Sequence, residues 1–271
     1  AIVAFVMAFV MAYILKVGEI YAFVGLLLFL GIMLYRSSRK HKQKVKDEAE
    51  IRSLRKGDIG TVTDMITESS AQISKVFRKT SALYSNLIDN LSLQDLAKLK
   101  ENKKDQKKLE KEIDELKSNV FYFIKNLDDN SVEASKFYIL ILGYLQDMVQ
   151  SIDFITANSY SHVANNHKQL KFNQIRDLKT IDKQLQHLLQ LLEDSFKSED
   201  FYRIDLILND KEILLETVSE LISKQIKRIR TTETSPKNSK LYFALLLETN
   251  DLVKSIMNLL ELFKEFNKLN K

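Results

Sequence analysis

The sequence has no cysteine, no tryptophan, one proline and only six glycines in 271 residues. Without cysteine there is no disulfide scaffold, no thiolate zinc site and no cysteine nucleophile. So few turn formers exclude a β-sandwich or β-barrel, in which each short strand needs a turn. An excess of one charge is also lacking: 41 Lys and Arg against 36 Asp and Glu leave +5, which demands no nucleic-acid partner. P-loops, G-x-S-x-G elbows and dinucleotide fingerprints are missing, so no catalytic and no cofactor-binding residue is assigned, and the chain is read as a non-enzyme. What is abundant is apolar (45%) and charged (28%) residues, spaced for helices almost throughout. The chain opens without Met inside an apolar run, and is read as the C-terminal piece of a longer protein.

Two almost purely apolar runs, Ala1–Leu15 and Ile20–Tyr35, flank Lys16-Val17-Gly18-Glu19. One helix through both would be ~52 Å long at ~1.5 Å per residue, against a hydrocarbon core of ~30 Å. It would also carry Lys16 and Glu19 to mid-bilayer, at about 3 kcal/mol each. A transmembrane hairpin over 1–35 avoids both costs; a buried soluble helix is the competing reading. A signal peptide fits worse, because no small-residue cleavage site follows and the basic residues lie on the wrong side. Arg36, Arg39, Lys40, Lys42, Lys44 and Lys46 come next, with no acid before Asp47. The positive-inside rule then makes 36–56 a basic juxtamembrane helix or linker and puts everything downstream in the cytosol. These cations also suit the anionic headgroups of a lipid bilayer.

After the break at Lys56-Gly57-Asp58-Ile59-Gly60, apolar residues recur at i, i+3, i+4. Helices are expected over Thr61–Leu91, from an N-cap at Ser92 to Leu127, over Val132–Asn165, over Lys171–Phe196, from Ser198 to about Arg230, and over Ser239–Leu269. Asp128–Ser131 and Thr231–Asn238, with Pro236, are read as loops. Ser135-Lys136-Phe137-Tyr138 matches Ser239-Lys240-Leu241-Tyr242, and Asp147–Ile152 matches Asp251–Ile256. Both matches are ungapped at one offset, 239 − 135 = 104. Equal offset and equal helix count predict an all-α fold, a membrane hairpin followed by two three-helix repeats over 57–166 and 167–271. Tyr138 and Tyr242 are expected in the cores of the two halves.

A six-helix, two-repeat body with S-K-x-Y and D-[ML]-V-x-S-I on its third helices resembles a PhoU-like domain. Joined to a polytopic membrane end, the chain resembles the C-terminal part of a bacterial phosphate transporter of the PiT family, in the form found in Bacteroidetes. The stretches that carry this are Leu54–Asp58, Met65–Ser70, Glu133–Tyr138, Asn165–Lys168 and Thr234–Lys237. The resemblance implies a multi-pass inner-membrane permease that moves inorganic phosphate with a coupling cation, Na+ or H+. It also implies a cytosolic regulatory body that contacts the membrane domain, and a homodimer is compatible with it. Substrate-binding residues are expected in the membrane region that precedes this chain, because Ala1–Tyr35 has no Asp, Asn or His in its apolar runs.

The resemblance also brings metal clusters, held by an acidic residue four positions before an Asp on each third helix. Here Val149 precedes Asp153, and Lys254 precedes Asn258, so no metal ligands are assigned. Glu110 and Asp114 have the i, i+4 spacing but lie among lysines, and salt bridging is expected of them. His162 and His167 are placed on different helix faces. The alternative function is a membrane-tethered phosphate-signalling adaptor that regulates another transporter or kinase. A chemoreceptor-like coiled coil would need uninterrupted heptads, which the breaks above deny.

Overall fold

A computed structural model describes residues 62–124, 132–199, 204–231 and 235–269. The apolar runs of 1–35, the basic segment 36–56, the Lys56–Gly60 break and the Asp128–Ser131 loop lie outside these residues. Among the described residues there are six helices and no strand: α1 (Val62–Ser92), α2 (Leu96–Ile124), α3 (Val132–Ala164), α4 (Phe172–Ser198), α5 (Ile204–Thr231) and α6 (Pro236–Leu269). None of them is long and apolar enough to cross a membrane. Val62–Lys271 forms one compact unit.

Three boundaries differ from the sequence reading, each for a local reason. Ser198 does not open the fifth helix; it ends α4, its hydroxyl donating to the Asp194 carbonyl at 2.8 Å. Ser92 does not cap α2; it is the last residue of α1, and its hydroxyl donates to the Asp89 carbonyl at 2.7 Å. Asp95 caps α2 instead, its Oδ1 accepting the Lys98 amide at 3.0 Å, because a short carboxylate there satisfies an amide that has no intrahelical partner. Pro236, placed in a loop, opens α6. Its missing amide costs nothing in the first turn, and its fixed φ suits a helix start. The end of α3 is a Schellman motif. Asn166, with φ 52°, donates to the Val163 carbonyl, and the His167 amide donates to that of His162. The end of α1 closes in the same way, with Gln94 at φ 55° and its amide and that of Asp95 donating to Leu91 and Asn90.

Helices α1, α2 and α3 pack on one another, α5 packs on α4 and α6, and the two sets meet through α1 against α4 and α3 against α6. Thus the first helices of the two sets face each other, and so do the third. Contacts across the α1–α4 seam run antiparallel: Arg78 lies near Glu193 at 4.0 Å, Ser85 near Asp182, and Asp89 near Lys179 at 3.1 Å. Buried positions of α1 recur 105 residues later in α4, as in Ile73 and Leu178, Val76 and Ile181, Leu83 and Leu188, and Leu87 and Leu192. The same offset relates α2 to α5 through Leu99 and Ile204, Leu109 and Leu214, and Ile113 and Val218. These buried positions recur one residue away from the offset of the third helices.

A single apolar core joins all six helices. Its aromatic spine is Phe77 on Phe196 (5.3 Å), Phe196 on Phe263 (4.7 Å) and Phe263 on Phe137 (5.0 Å), all edge-to-face. The four rings come from α1, α4, α6 and α3. Each such pair adds about 0.5–1.5 kcal/mol beyond area burial, so the spine holds the two sets together. Further along, Tyr84 is fully buried, with its hydroxyl 2.7 Å from Thr249 Oγ1. Thr249 spends its own proton on the Leu245 carbonyl at 2.7 Å, which leaves Tyr84 as donor. Burial pushes the Tyr84 phenol above its ordinary pKa, and it stays protonated across the working range.

Candidate functional site

A groove of about 310 Å³ lies between α2 and α3. Amphipathic spacing puts Gln106, Glu110, Ile113 and Asp114 along the side of α2 that turns towards α3. Gln146, Val149, Gln150 and Asp153 answer from α3. Ile113 and Val149 are buried and form an apolar floor. Glu110 and Asp114 are exposed, and Asp153 is half-buried. The expected salt bridging does not occur. Among the described residues, neither Glu110 nor Asp114 has a cation within 4.0 Å, and neither has Asp153. Nearby cations are drawn elsewhere: Lys111 pairs with Glu115 at 3.2 Å, Lys108 with Asp105 at 2.7 Å, and Lys79 with Glu112. Lys117 reaches the groove but donates to Gln146 Oε1 at 3.2 Å.

Gln106 sits beneath these carboxylates, fully buried, with neither its Oε1 nor its Nε2 hydrogen-bonded. Each unmade bond of a buried amide costs about 1–3 kcal/mol. No local signal marks this residue, since a glutamine between Asp105 and Lys107 on a charged helix reads as solvated surface. Asp153 was noted only for lacking an acid at Val149. It nevertheless lines the same groove as Glu110 and Asp114, so carboxylates come from two helices where one was expected to supply a pair. Among the described residues, no group of three or more His, Asp or Glu is placed to hold a metal.

The second set does not repeat this chemistry. Residues 105 positions after Gln106, Glu110 and Asp114 are Lys211, Leu215 and Ser219; residues 104 positions after Gln150 and Asp153 are Lys254 and Met257. Leu215 packs on the core and Met257 is buried. The polar chemistry of this half is internal instead. Asp177, its side chain 7% exposed, accepts Arg228 Nη2 at 2.8 Å and Lys224 Nζ at 3.1 Å, and the Tyr242 hydroxyl lies 3.4 Å from Oδ2. Gln225 links Gln174 (3.2 Å) to Ser239 (3.1 Å) beside them. Tyr242 is thus in the core, as expected, with burial first and the Asp177 charge second raising its pKa. Tyr138 is only half-buried; Phe137 takes the core position on that helix.

The two histidines are not held apart. The Schellman turn at Asn166 folds His167 back, and the rings meet edge-to-face at 5.1 Å. His162 Nε2 donates to the Lys168 carbonyl at 2.9 Å, and burial lowers its pKa despite that bond. Its side chain therefore fastens the corner between the two helix sets. No known family model and no curated protein sequence matches the chain.

Proposed function

We propose that this chain is the C-terminal part of a PiT-type inorganic phosphate permease: two apolar spans, then a PhoU-like cytosolic body that regulates cation-coupled uptake. The observation that carries this reading is the duplicated body. Two sets of three helices share one core, with inward faces that repeat at almost constant offset, behind a sequence with two apolar runs and a basic juxtamembrane cluster. The S-K-x-Y and D-[ML]-V-x-S-I motifs lie on helices α3 and α6, which pack together between the two sets. A body of this kind regulates by favouring one transport state, and it shifts that equilibrium only by its differential interaction free energy with the two states. Transport chemistry belongs to the membrane region that precedes the chain, in an inner membrane with the body on the cytoplasmic side. The test is phosphate uptake by the parent protein with and without residues 62–271, at matched expression. Altered uptake kinetics are expected, and unchanged kinetics would remove the regulatory role.

A second reading, a membrane-tethered adaptor that binds another transporter or kinase, is favoured by one observation. Leu206 and Ile213 are exposed two turns apart on the same outward face of α5, and such a stripe on a soluble surface suits a protein partner. A parent protein that inserts correctly but transports no phosphate would favour this reading.

A further inference from the structure

We infer that the α2–α3 groove binds a linear polyamine, whose separated ammonium groups meet Glu110, Asp114 and Asp153 while its methylenes lie on Ile113 and Val149. Three features of the groove lead there. Its carboxylates have no ion-pair partner within 4.0 Å among the described residues, so its field attracts cations. They are also spread out. Glu110 and Asp114 stand one helical turn apart, about 5–6 Å between Cβ atoms, and Asp153 answers from the facing helix. No three acids converge on a point, which disfavours a single ion and suits charges held apart by alkyl linkers. Finally, Gln106 is fully buried beneath the groove with its amide oxygen and nitrogen both without partners.

The chain already shows the recognition mode at one end, where the Lys117 ammonium donates to the Gln146 amide oxygen. A ligand ammonium seated deeper would donate to Gln106 Oε1 in the same way, and Gln106 Nε2 would donate to a carboxylate. Gln150 on the wall offers another amide. Charge-assisted bonds of this type are roughly twice as strong as neutral ones. The second helix set is an internal control: Lys211, Leu215, Lys254 and Met257 stand where the first set has Gln106, Glu110, Gln150 and Asp153. Lysines replace both amides there and apolar side chains replace both acids, so a cation finds no partner. The inference stands apart from phosphate transport and rests only on the groove.

The test is isothermal titration of the full chain in neutral detergent with spermidine, n-butylamine and manganese chloride, at low and at high salt. Saturable spermidine binding at one site is expected, weakening at high salt and by about tenfold or more in Glu110→Gln/Asp153→Asn. Asp114→Lys, an exposed substitution that leaves the core untouched, should weaken it as much and serves if the double variant does not fold. Absence of spermidine binding would overturn the inference, as would equal affinity in the variants. Equal affinity for butylamine would overturn the need for separated ammonium groups. Tighter, displacing binding by manganese would make the groove a metal site instead.

Discussion

Asp182 faces α1 from α4 and is 6% exposed. Its Oδ2 accepts the Ser85 hydroxyl at 3.2 Å, while Gln186 Nε2 donates to the same Ser85 oxygen at 3.0 Å. Its Oδ1 has no partner. The charged groups facing it, Asp89 from α1 and Lys179 from α4, pair with each other at 3.1 Å and largely cancel. Burial is accordingly the main cause of a raised pKa; hydrogen bonds from Gln186 and Ser85 oppose it, Asp89 adds to it and Lys179 subtracts. An unsatisfied buried oxygen on a charged group costs about 1–3 kcal/mol. Asp182→Asn keeps the shape, removes the charge and gives the orphan position an amide, so a gain of about 1 kcal/mol is expected at neutral pH. The sign with pH follows from linkage. The folded chain binds this proton more tightly than the unfolded chain, so the contribution is fully present below the ordinary carboxylate range, near ~4, and is lost as pH rises through the raised value. The Asn variant lacks that slope. Urea unfolding of the full chain in detergent, followed by helical circular dichroism across pH, measures both quantities. The variant should lead at neutral pH and the gap should close towards pH 4. A less stable variant at neutral pH, or a gap that does not change with pH, refutes the reasoning.

Gln94→Gly should stabilise by about 0.5–1 kcal/mol, because φ 55° strains a side chain with a Cβ and the Gln94 side-chain Nε2 is buried without a partner; thermal unfolding reads it. Phe196→Ala should cost about 3–5 kcal/mol, since its ring joins Phe77 to Phe263 at the centre of the spine; denaturant titration reads it. Arg228→Met should cost about 3–5 kcal/mol by stranding most of the Asp177 charge, whose remaining cation, Lys224, is half exposed. Adding Asp177→Leu should recover much of that loss, and a double-mutant cycle reads it. His162 should titrate below an ordinary histidine by NMR; because its folded pKa is depressed, its contribution to stability is present above the ordinary histidine range and lost as pH falls through the lowered value.

Helix content was legible in the sequence because it is periodic. The apolar stripes of α1, α4 and α6 set which faces turn inward. Caps were harder to read. Ser92 and Asp95 are both good caps, and only the turn at Gln94 decides which one is used. Pro236 reads equally as a loop or as a first helical residue until its flanks are seen. The groove was the least legible feature. Gln106, Glu110 and Asp114 sit in a run of lysines where pairing at i, i+4 is the cheapest guess, and Asp153 lies 39 residues beyond Asp114 (153 − 114 = 39). Nothing local in the sequence says that those lysines turn to other acids and leave the groove to its carboxylates. His162 and His167 meet because the helix ends between them at Asn166, whose positive φ folds the chain back.

The reading of the whole chain stands or falls on transport. The direct measurement is radiolabelled phosphate uptake by the parent protein, in a strain that lacks its own phosphate permeases, with and without a sodium gradient. The account predicts uptake above background, with the gradient dependence naming the coupling ion. No uptake by a correctly inserted protein would contradict it and would leave the helical body as the functional part.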